Sequence, residues 1–227
     1  MAIALFDLDN TLIAGDSDCL WGEYLVSCGA VDDQQFAAAH RQFHEQYVQG
    51  NLDIDSFLEF ALRPLAENSI DDLLKWREDF MRSLIEPIVL PAAERLIESH
   101  RSAGDHLAIV TATNSFVTTP IAHRLGINSL MATEPEVVNE RYTGRYTGTP
   151  TFQEGKIAVV NNWLQKNDLI NLSCYFYSDS LNDIPLLESV EHPVAVDPDE
   201  KLADVANKRG WRILTLRAGE QPVDIDY

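Results

Sequence analysis

The amino-acid sequence predicts an α/β fold: a parallel sheet with helices on both faces, plus an all-helical insert after the first strand. Two observations predict it. From residue 91 onward, short apolar runs alternate with longer amphipathic segments, the pattern of strands and crossover helices in a parallel sheet. Before that point, roughly seventy residues after the first apolar run carry helical periodicity and no strand-like stretch.

The first strand is Ile3-Ala4-Leu5-Phe6, apolar and too short to be a helix by itself. It runs into Asp7-Leu8-Asp9-Asn10-Thr11. Side chains alternate along an extended chain, so Asp7 and Asp9 are expected to point the same way. They would do so beyond the carboxyl end of a strand, where open α/β sheets place their ligands. Two carboxylates with the Thr11 hydroxyl behind them suit a metal together with an acid or base. The same residues also suit a helix cap, because Asp, Asn and Thr all cap well.

Residues 18–28 place Leu20, Trp21, Tyr24, Leu25 and Cys28 on one helical face before Gly29. A polar helix rich in Gln and His is expected over 32–48, ending at Gly50. Helices over 53–65 and 70–85 follow, the last carrying Leu73, Trp76, Phe80 and Leu84. The helix expected over 91–100 has Pro91 at its start and Gly104 beyond its end. A strand over 106–111 ends in the hydroxyl of Thr111, and the helix expected over 115–125 contains Pro120, which should disturb or begin it. A short strand over 129–132, a hairpin over 137–146 and a loop over 148–155 lead to a helix over 156–166 that opens with Lys156. A strand over 174–177 enters Ser178-Asp179. Then come a helix (184–190), a strand (194–196), a helix (201–208), a strand (212–216) and a polar acidic tail.

With 227 residues, 45% of them hydrophobic, the chain can build one large domain or a domain with a sizeable insert. Its formal net charge of −19 repels nucleic acid and anionic lipid, so neither is an expected partner. A phosphate-bearing substrate would need local positive charge from a metal or a placed Lys or Arg. Cys19, Cys28 and Cys174 show no CxxC spacing, which indicates neither a zinc site nor a disulfide framework. No basic leader with an apolar core and no run approaching ~18 apolar residues is present, so a cytoplasmic soluble protein is expected. His40 and His44 have the i, i+4 spacing of metal ligands, but with no third ligand evident they read as a solvated helix face.

Three strand ends carry polar groups: Asp7 and Asp9, Thr111, and Asp179, with Asp183 four residues further on. In a parallel sheet these ends lie on one edge and can converge, and the segment between the second and third of them adds Lys156. An acidic pair, a hydroxyl, a lysine and another acidic pair make a charge-balanced phosphate site. Oxygen ligands plus a phosphate are what Mg²⁺ prefers.

At this point the chain resembles the haloacid dehalogenase-like (HAD) superfamily, whose four motifs match in order across nearly its whole length. Asp7-Leu8-Asp9-Asn10-Thr11 resembles the first motif, Val110-Thr111-Ala112-Thr113 the second, Lys156 the third and Asp179-Ser180-Leu181-Asn182-Asp183 the fourth. The D-x-x-N-D form is that of the phosphoserine-phosphatase-like branch. Tyr142-Thr143-Gly144 resembles that branch's hairpin, and the insert resembles its small helical cap. Ser178 departs from the glycine of many relatives; serine serves if no positive φ is needed.

The resemblance implies a Rossmann-like catalytic core over 1–14 and 86–227 and a cap over 15–85. It implies a Mg²⁺-dependent phosphomonoesterase with Asp7 as nucleophile and Asp9 as general acid and base. The metal would be held by the carboxylates of Asp7 and Asp179 and the backbone carbonyl of Asp9. Thr111, with the N–H groups of Ala112 and residue 113, would hold the phosphoryl oxygens. Asn182 and Asp183 would orient Lys156 and metal-bound water, leaving Thr11 as a turn residue.

In related phosphoserine phosphatases an acidic residue at the offset of Asp16 binds the substrate amine, and Asp18 stands nearby. Their cap arginine, which binds the serine carboxylate, falls here on Ala61, with Arg63 close but facing elsewhere. A small amino-alcohol phosphate without a carboxylate is therefore expected, histidinol phosphate before phosphoserine. A carbon–halogen hydrolase would not need Asp9, and a non-catalytic Mg²⁺- or partner-binding module would not need the four motifs together. The sequence says nothing about oligomeric state.

Overall fold

The computed structural model describes residues 1–31 and 33–225. Asp32, read above as the start of the second helix, and the last two residues of the tail lie outside them. The strands are β1 (Ile3–Phe6), β2 (His106–Asn114), β3 (Ser129–Val138), β4 (Arg141–Thr147), β5 (Cys174–Ser178), β6 (His192–Val196), β7 (Arg212–Thr215) and β8 (Val223–Asp224). Among the described residues they form one eight-stranded sheet in the order β4-β3-β2-β1-β5-β6-β7-β8. The six central strands are parallel, and β4 and β8 close the edges antiparallel. The chain builds outward from β1 in one direction, then returns to β1's other side at β5. The switch of direction at β1 is where an open sheet leaves a crevice at its carboxyl edge.

The helices are α1 (Ser17–Ser27), α2 (Asp33–Gln49), α3 (Ile54–Glu67), α4 (Ile70–Phe80), α5 (Pro91–Ser102), α6 (Ser115–Arg124), α7 (Glu154–Lys166), α8 (Ile184–Leu187) and α9 (Glu200–Arg209). Alternation along β1 sorts them between the faces. Ala4 and Phe6 are buried in one core with α5 and α6, and Ile3 and Leu5 in another with α7, α8 and α9. Helices α1–α4 occupy the expected insert, and their Trp21, Leu58, Leu62 and Phe80 join the Phe6 side of the core. Burial of such side chains stabilises by about 1.5–3 kcal/mol each. The two ends of the insert return side by side, with Ala14 N–H donating to Ile88 C=O at 2.8 Å and an isolated bridge between Ile13 and Val89.

The structure departs from the sequence reading in several places. The helix expected over 70–85 is α-helical only to Phe80, then widens into a π turn (Met81–Ile85) and a 3₁₀ turn (Glu86–Ile88). Pro87 has no N–H to continue the ladder there. Pro120 lies inside α6 without ending it, although its missing N–H leaves the Phe116 carbonyl without its helical donor. Arg77 of α4 donates to that carbonyl at 2.8 Å and lies over the Phe116 ring, so the insert repairs the core helix. β2 runs three residues past Thr111, with a register shift after Val110, so Thr111 sits in a bulge rather than at a strand end. β3 is longer than the expected 129–132, and the expected helix over 184–190 is only the short α8, preceded by a 3₁₀ turn (Leu181–Asp183). The acidic tail contributes β8, held against β7 by the Arg212–Asp224 pair. Among the described residues no helix is long and apolar enough to cross a membrane.

Candidate active site

Asp7 follows β1 directly, its N–H donating to Tyr177 C=O at 2.9 Å as one more rung toward β5. The chain then leaves the sheet. Asn10 takes a left-handed φ of 56°, which Asn tolerates better than most residues, and its N–H bonds to Gly15 C=O. Asp7 and Asp9 line one pocket at the point where the chain leaves the sheet.

Lys156 enters from the opposite side. A Cβ on Gly155 would lie 2.0 Å from the Pro150 carbonyl oxygen, so only glycine lets α7 begin this close to the preceding loop. Lys156 is buried, and its Nζ donates to Asp7 Oδ1 and to Asp183 Oδ2, both at 2.7 Å. Asp183 Oδ2 also accepts from Ser178 Oγ at 2.7 Å. Ser178 needs no positive φ, so serine costs no strain and supplies a hydroxyl that glycine could not.

Asp9 is held on both oxygens. Oδ1 accepts the Ser17 N–H at 2.6 Å; Oδ2 accepts the hydroxyls of Thr113 at 2.8 Å and Thr111 at 3.3 Å. Burial and the facing Asp16 carboxylate push Asp9 up to about 6, against the pull of those hydrogen bonds. Burial likewise raises Asp7 to about 7; Lys156 pulls it down while Asp183 and Asp9 push it up. For Lys156 burial works downward, but the Asp183 and Asp7 carboxylates outweigh it and keep the ammonium charged.

Asp179 reaches this group through Thr11. The Thr11 hydroxyl accepts the Asp179 N–H at 3.1 Å and lies 3.2 Å from Asp179 Oδ1 and 3.4 Å from Asp7 Oδ2. Its one proton can serve only one of the two carboxylates at a time. Thr11 is therefore more than a turn residue. Burial, then Asp7 and Asp183, push Asp179 well above the usual carboxylate range.

Ala112 lines the pocket between Thr111 and Thr113. Asp16 and Asp18 line its far wall, Asp16 also capping α1 by accepting from the N–H groups of Asp18 and Cys19. Asn182 lines the pocket too, but it does not touch Lys156. It donates to the Tyr47 carbonyl at 3.0 Å and accepts from Gln153 Nε2 at 3.0 Å, tying the end of α2 to the sheet edge. Arg63 pairs with Glu67 on the surface and takes no part in the pocket wall.

The sequence reading expects α2 as a helix but does not place it at the pocket. His40, Phe43, His44 and Tyr47 all line the pocket, and the Tyr47 hydroxyl donates to Ser180 Oγ at 3.1 Å. Burial lowers His40, so its imidazole enters the wall uncharged at neutral pH. The spacing 36, 40, 43/44, 47 is an i, i+4 stripe, a signal present in the sequence.

Residues 4–188 match the haloacid dehalogenase-like hydrolase family. The chain belongs to that family. It is 43% identical to a histidinol-phosphatase of Neisseria meningitidis over 219 residues, covering 95% of this chain and 99% of that one. It is 30% identical to a phosphoserine phosphatase of Mycobacterium tuberculosis, covering 99% of this chain and 74% of that one. A crystal structure of a Bordetella pertussis protein of unknown function superposes with a TM-score of 0.87 at 43% identity, covering 94% and 98% of the two chains. The chain thus falls in the branch of the family that includes histidinol and phosphoserine phosphatases, with its α/β sheet and helices on both faces.

Proposed function

We propose that the chain is a Mg²⁺-dependent phosphomonoesterase that works through a phosphoaspartate on Asp7 and acts on histidinol phosphate. Its core would be residues 1–14 and 86–227, and its cap residues 15–85. The observation that carries the metal is the charge around Thr11: among the described residues, Asp7, Asp179 and Asp183 are answered by Lys156 alone. Buried carboxylates left in excess, with oxygen donors on both sides of one hydroxyl, fit a hard divalent cation. The carboxylates of Asp7 and Asp179 and the backbone carbonyl of Asp9 would hold it, and when bound it would offset the repulsion between phosphate and carboxylate.

The Asp7 carboxylate attacks phosphorus while Lys156 stays hydrogen-bonded to it. The ester P–O bond breaks, and Asp9 gives its proton to the leaving oxygen, releasing the alcohol. Asp9 then takes a proton from water, whose oxygen attacks phosphorus; phosphate leaves and the Asp7 carboxylate is restored. An acid that must both give and take a proton works best with a pKa near the working pH, which the burial of Asp9 supports. Thr111 and the N–H groups of Ala112 and Thr113 suit the phosphoryl oxygens.

The observation that carries the substrate is the far wall. Asp16 and Asp18 face the pocket with aromatic rings from α2 and α3, and Lys156 is the one lysine or arginine among its described lining residues. That wall suits an ammonium or imidazolium and leaves a substrate carboxylate without a partner, in agreement with the similarity to a histidinol-phosphatase. The test is a phosphoester panel with Mg²⁺. Histidinol phosphate is expected to exceed phosphoserine by at least ~100-fold in kcat/KM, the scale on which unpaired polar groups discriminate. Asp7→Asn should abolish turnover on both. Equal values for the two substrates would overturn the assignment of the wall, and EDTA-resistant phosphate release would overturn the metal.

A further inference from the structure

The i, i+4 histidines of α2 lacked a third ligand in the sequence, and Cys19 lacked a partner. The fold gives partners to His44, though not to His40, and to Cys19. Asp16 and Cys19 at the start of α1 meet His44 of α2, with one carboxylate oxygen, Sγ and Nδ1 all within 4.8 Å of one another. Cys19 Sγ and His44 Nδ1 are 3.9 Å apart. A tetrahedral ion with bonds of ~2.0–2.3 Å needs donors about 3.3–3.8 Å apart, so no pair has to close by more than about 1.5 Å.

We propose that Asp16, Cys19 and His44 form an inhibitory site for a zinc-class divalent cation at the wall of the substrate pocket. The donors decide the metal. One sulfur, one nitrogen and one oxygen suit Zn²⁺, whereas the all-oxygen set around Asp7 suits Mg²⁺, so the two ions sort to different places in one cavity. The surroundings favour a cation: Asp9 and Asp18 flank the triad, and the lining residues on this side include no lysine or arginine. The same negative field, after burial, pushes the Cys19 thiol up until a positive charge arrives. Three protein ligands leave a fourth position open.

Occupancy has two effects. It captures the Asp16 carboxylate that faces the substrate, and it joins α1 to α2, the helix whose far end rests on Ser180 and Asn182. Zn²⁺ should therefore compete with substrate, and do so at saturating Mg²⁺.

Co²⁺ serves as the spectroscopic probe on the full chain. One equivalent should give a thiolate-to-cobalt charge-transfer band that Cys19→Ser loses and His44→Ala weakens. With p-nitrophenyl phosphate at saturating Mg²⁺, Zn²⁺ should raise KM, and Cys19→Ser should raise its inhibition constant by at least ~10-fold, the low end for disturbing a metal's ligand sphere. A band that survives Cys19→Ser, placing cobalt on another thiol, would overturn the site. So would inhibition unchanged by both substitutions, which would mean displacement of the metal at Asp7 and Asp179. The cobalt band requires no turnover, so its outcome is separate from that of the proposed activity.

Discussion

Two buried ionic clusters sit in this molecule, and they are built on opposite principles. One joins the starts of β1 and β2 to the middle of the sheet. There, His100 Nδ1 lies 2.8 Å from Asp105 Oδ2, His100 Nε2 lies 2.8 Å from the Tyr177 hydroxyl, and Asp105 Oδ1 accepts the Ala2 N–H at 2.6 Å. Both ring nitrogens of His100 thus have a hydrogen-bond partner, and the hydrogen bond with His100 holds Asp105 below the usual carboxylate range. The other cluster, beyond the carboxyl ends of β1, β2 and β5, gathers Asp7, Asp9, Asp179 and Asp183 around one lysine, and burial raises Asp7, Asp9 and Asp179. A satisfied network stabilises the fold; an overcharged one keeps capacity in reserve for a cation and a phosphate. The sign of the carboxylate shifts separates the two roles.

The sharpest way to break this contrast is to remove the single cation. Lys156→Met leaves Asp7 and Asp183 facing each other without their cation, and loss of one member of a buried pair costs about 3–5 kcal/mol. Urea unfolding should show a loss of that size in addition to the loss of turnover. A cost under ~1 kcal/mol would mean that the carboxylates escape by taking up protons, and the site would be less overcharged than its geometry states.

The next effect is a dependence on pH. Asp7 and Asp9 rise to about 7 and about 6 in the folded chain from ordinary values of 3.8. Between roughly pH 4 and 7 the folded protein therefore holds protons that the unfolded chain releases, and the metal-free protein loses stability as pH rises through that window. The divalent cation proposed above, held by the Asp7 carboxylate, would replace the Asp7 proton. Mg²⁺ at a hundred times its dissociation constant should stabilise by about 2.7 kcal/mol, and the dissociation constant itself should tighten from pH 5 to pH 7.5. Thermal melts with fixed Mg²⁺ across that range check this. A Mg²⁺ increment in Tm that shrinks with pH would reverse the assignment.

The proposed catalytic cluster was legible where the chain writes chemistry at the end of an apolar run: Asp7 after Phe6, Thr111 after Val110, Asp179 two residues after Tyr177. Lys156 was legible because a lysine opens an amphipathic helix after a glycine. What stayed hidden depends on partners far away in sequence. The stripe His40–Phe43–His44–Tyr47 lies in a helix so rich in Gln and His that its inner face reads as solvent, and only the sheet edge at Ser180–Asn182 makes it a wall. The resemblance gives Asn182 to Lys156 and metal-bound water, yet its side-chain hydrogen bonds run to Tyr47 and Gln153. β8 is two residues long and exists through Arg212. The His100–Asp105–Tyr177 network drew no notice because its members are 77 residues apart at the widest, with no motif to join them.

The smallest effect sharpens the comparison from the satisfied side. Tyr177→Phe removes one hydroxyl and leaves a ring of the same shape, stacked on Phe6 at 5.2 Å between centroids. His100 Nε2 would then be buried without its partner, at a cost of about 1–2 kcal/mol for an unsatisfied polar group. Tyr177 stands two residues before Asp179, and its backbone carbonyl accepts the N–H of Asp7. A substitution this close to two proposed metal ligands should nonetheless leave kcat and KM within about twofold, because the lost bond lies on the Phe6 face of the sheet and no carboxylate of the pocket depends on it. Urea unfolding and steady-state kinetics on the same preparation separate the two outcomes. A fall in kcat of tenfold or more would show that the Phe6–Tyr177 stack transmits the state of one cluster to the other, and the division between a structural and a functional network would have to be given up.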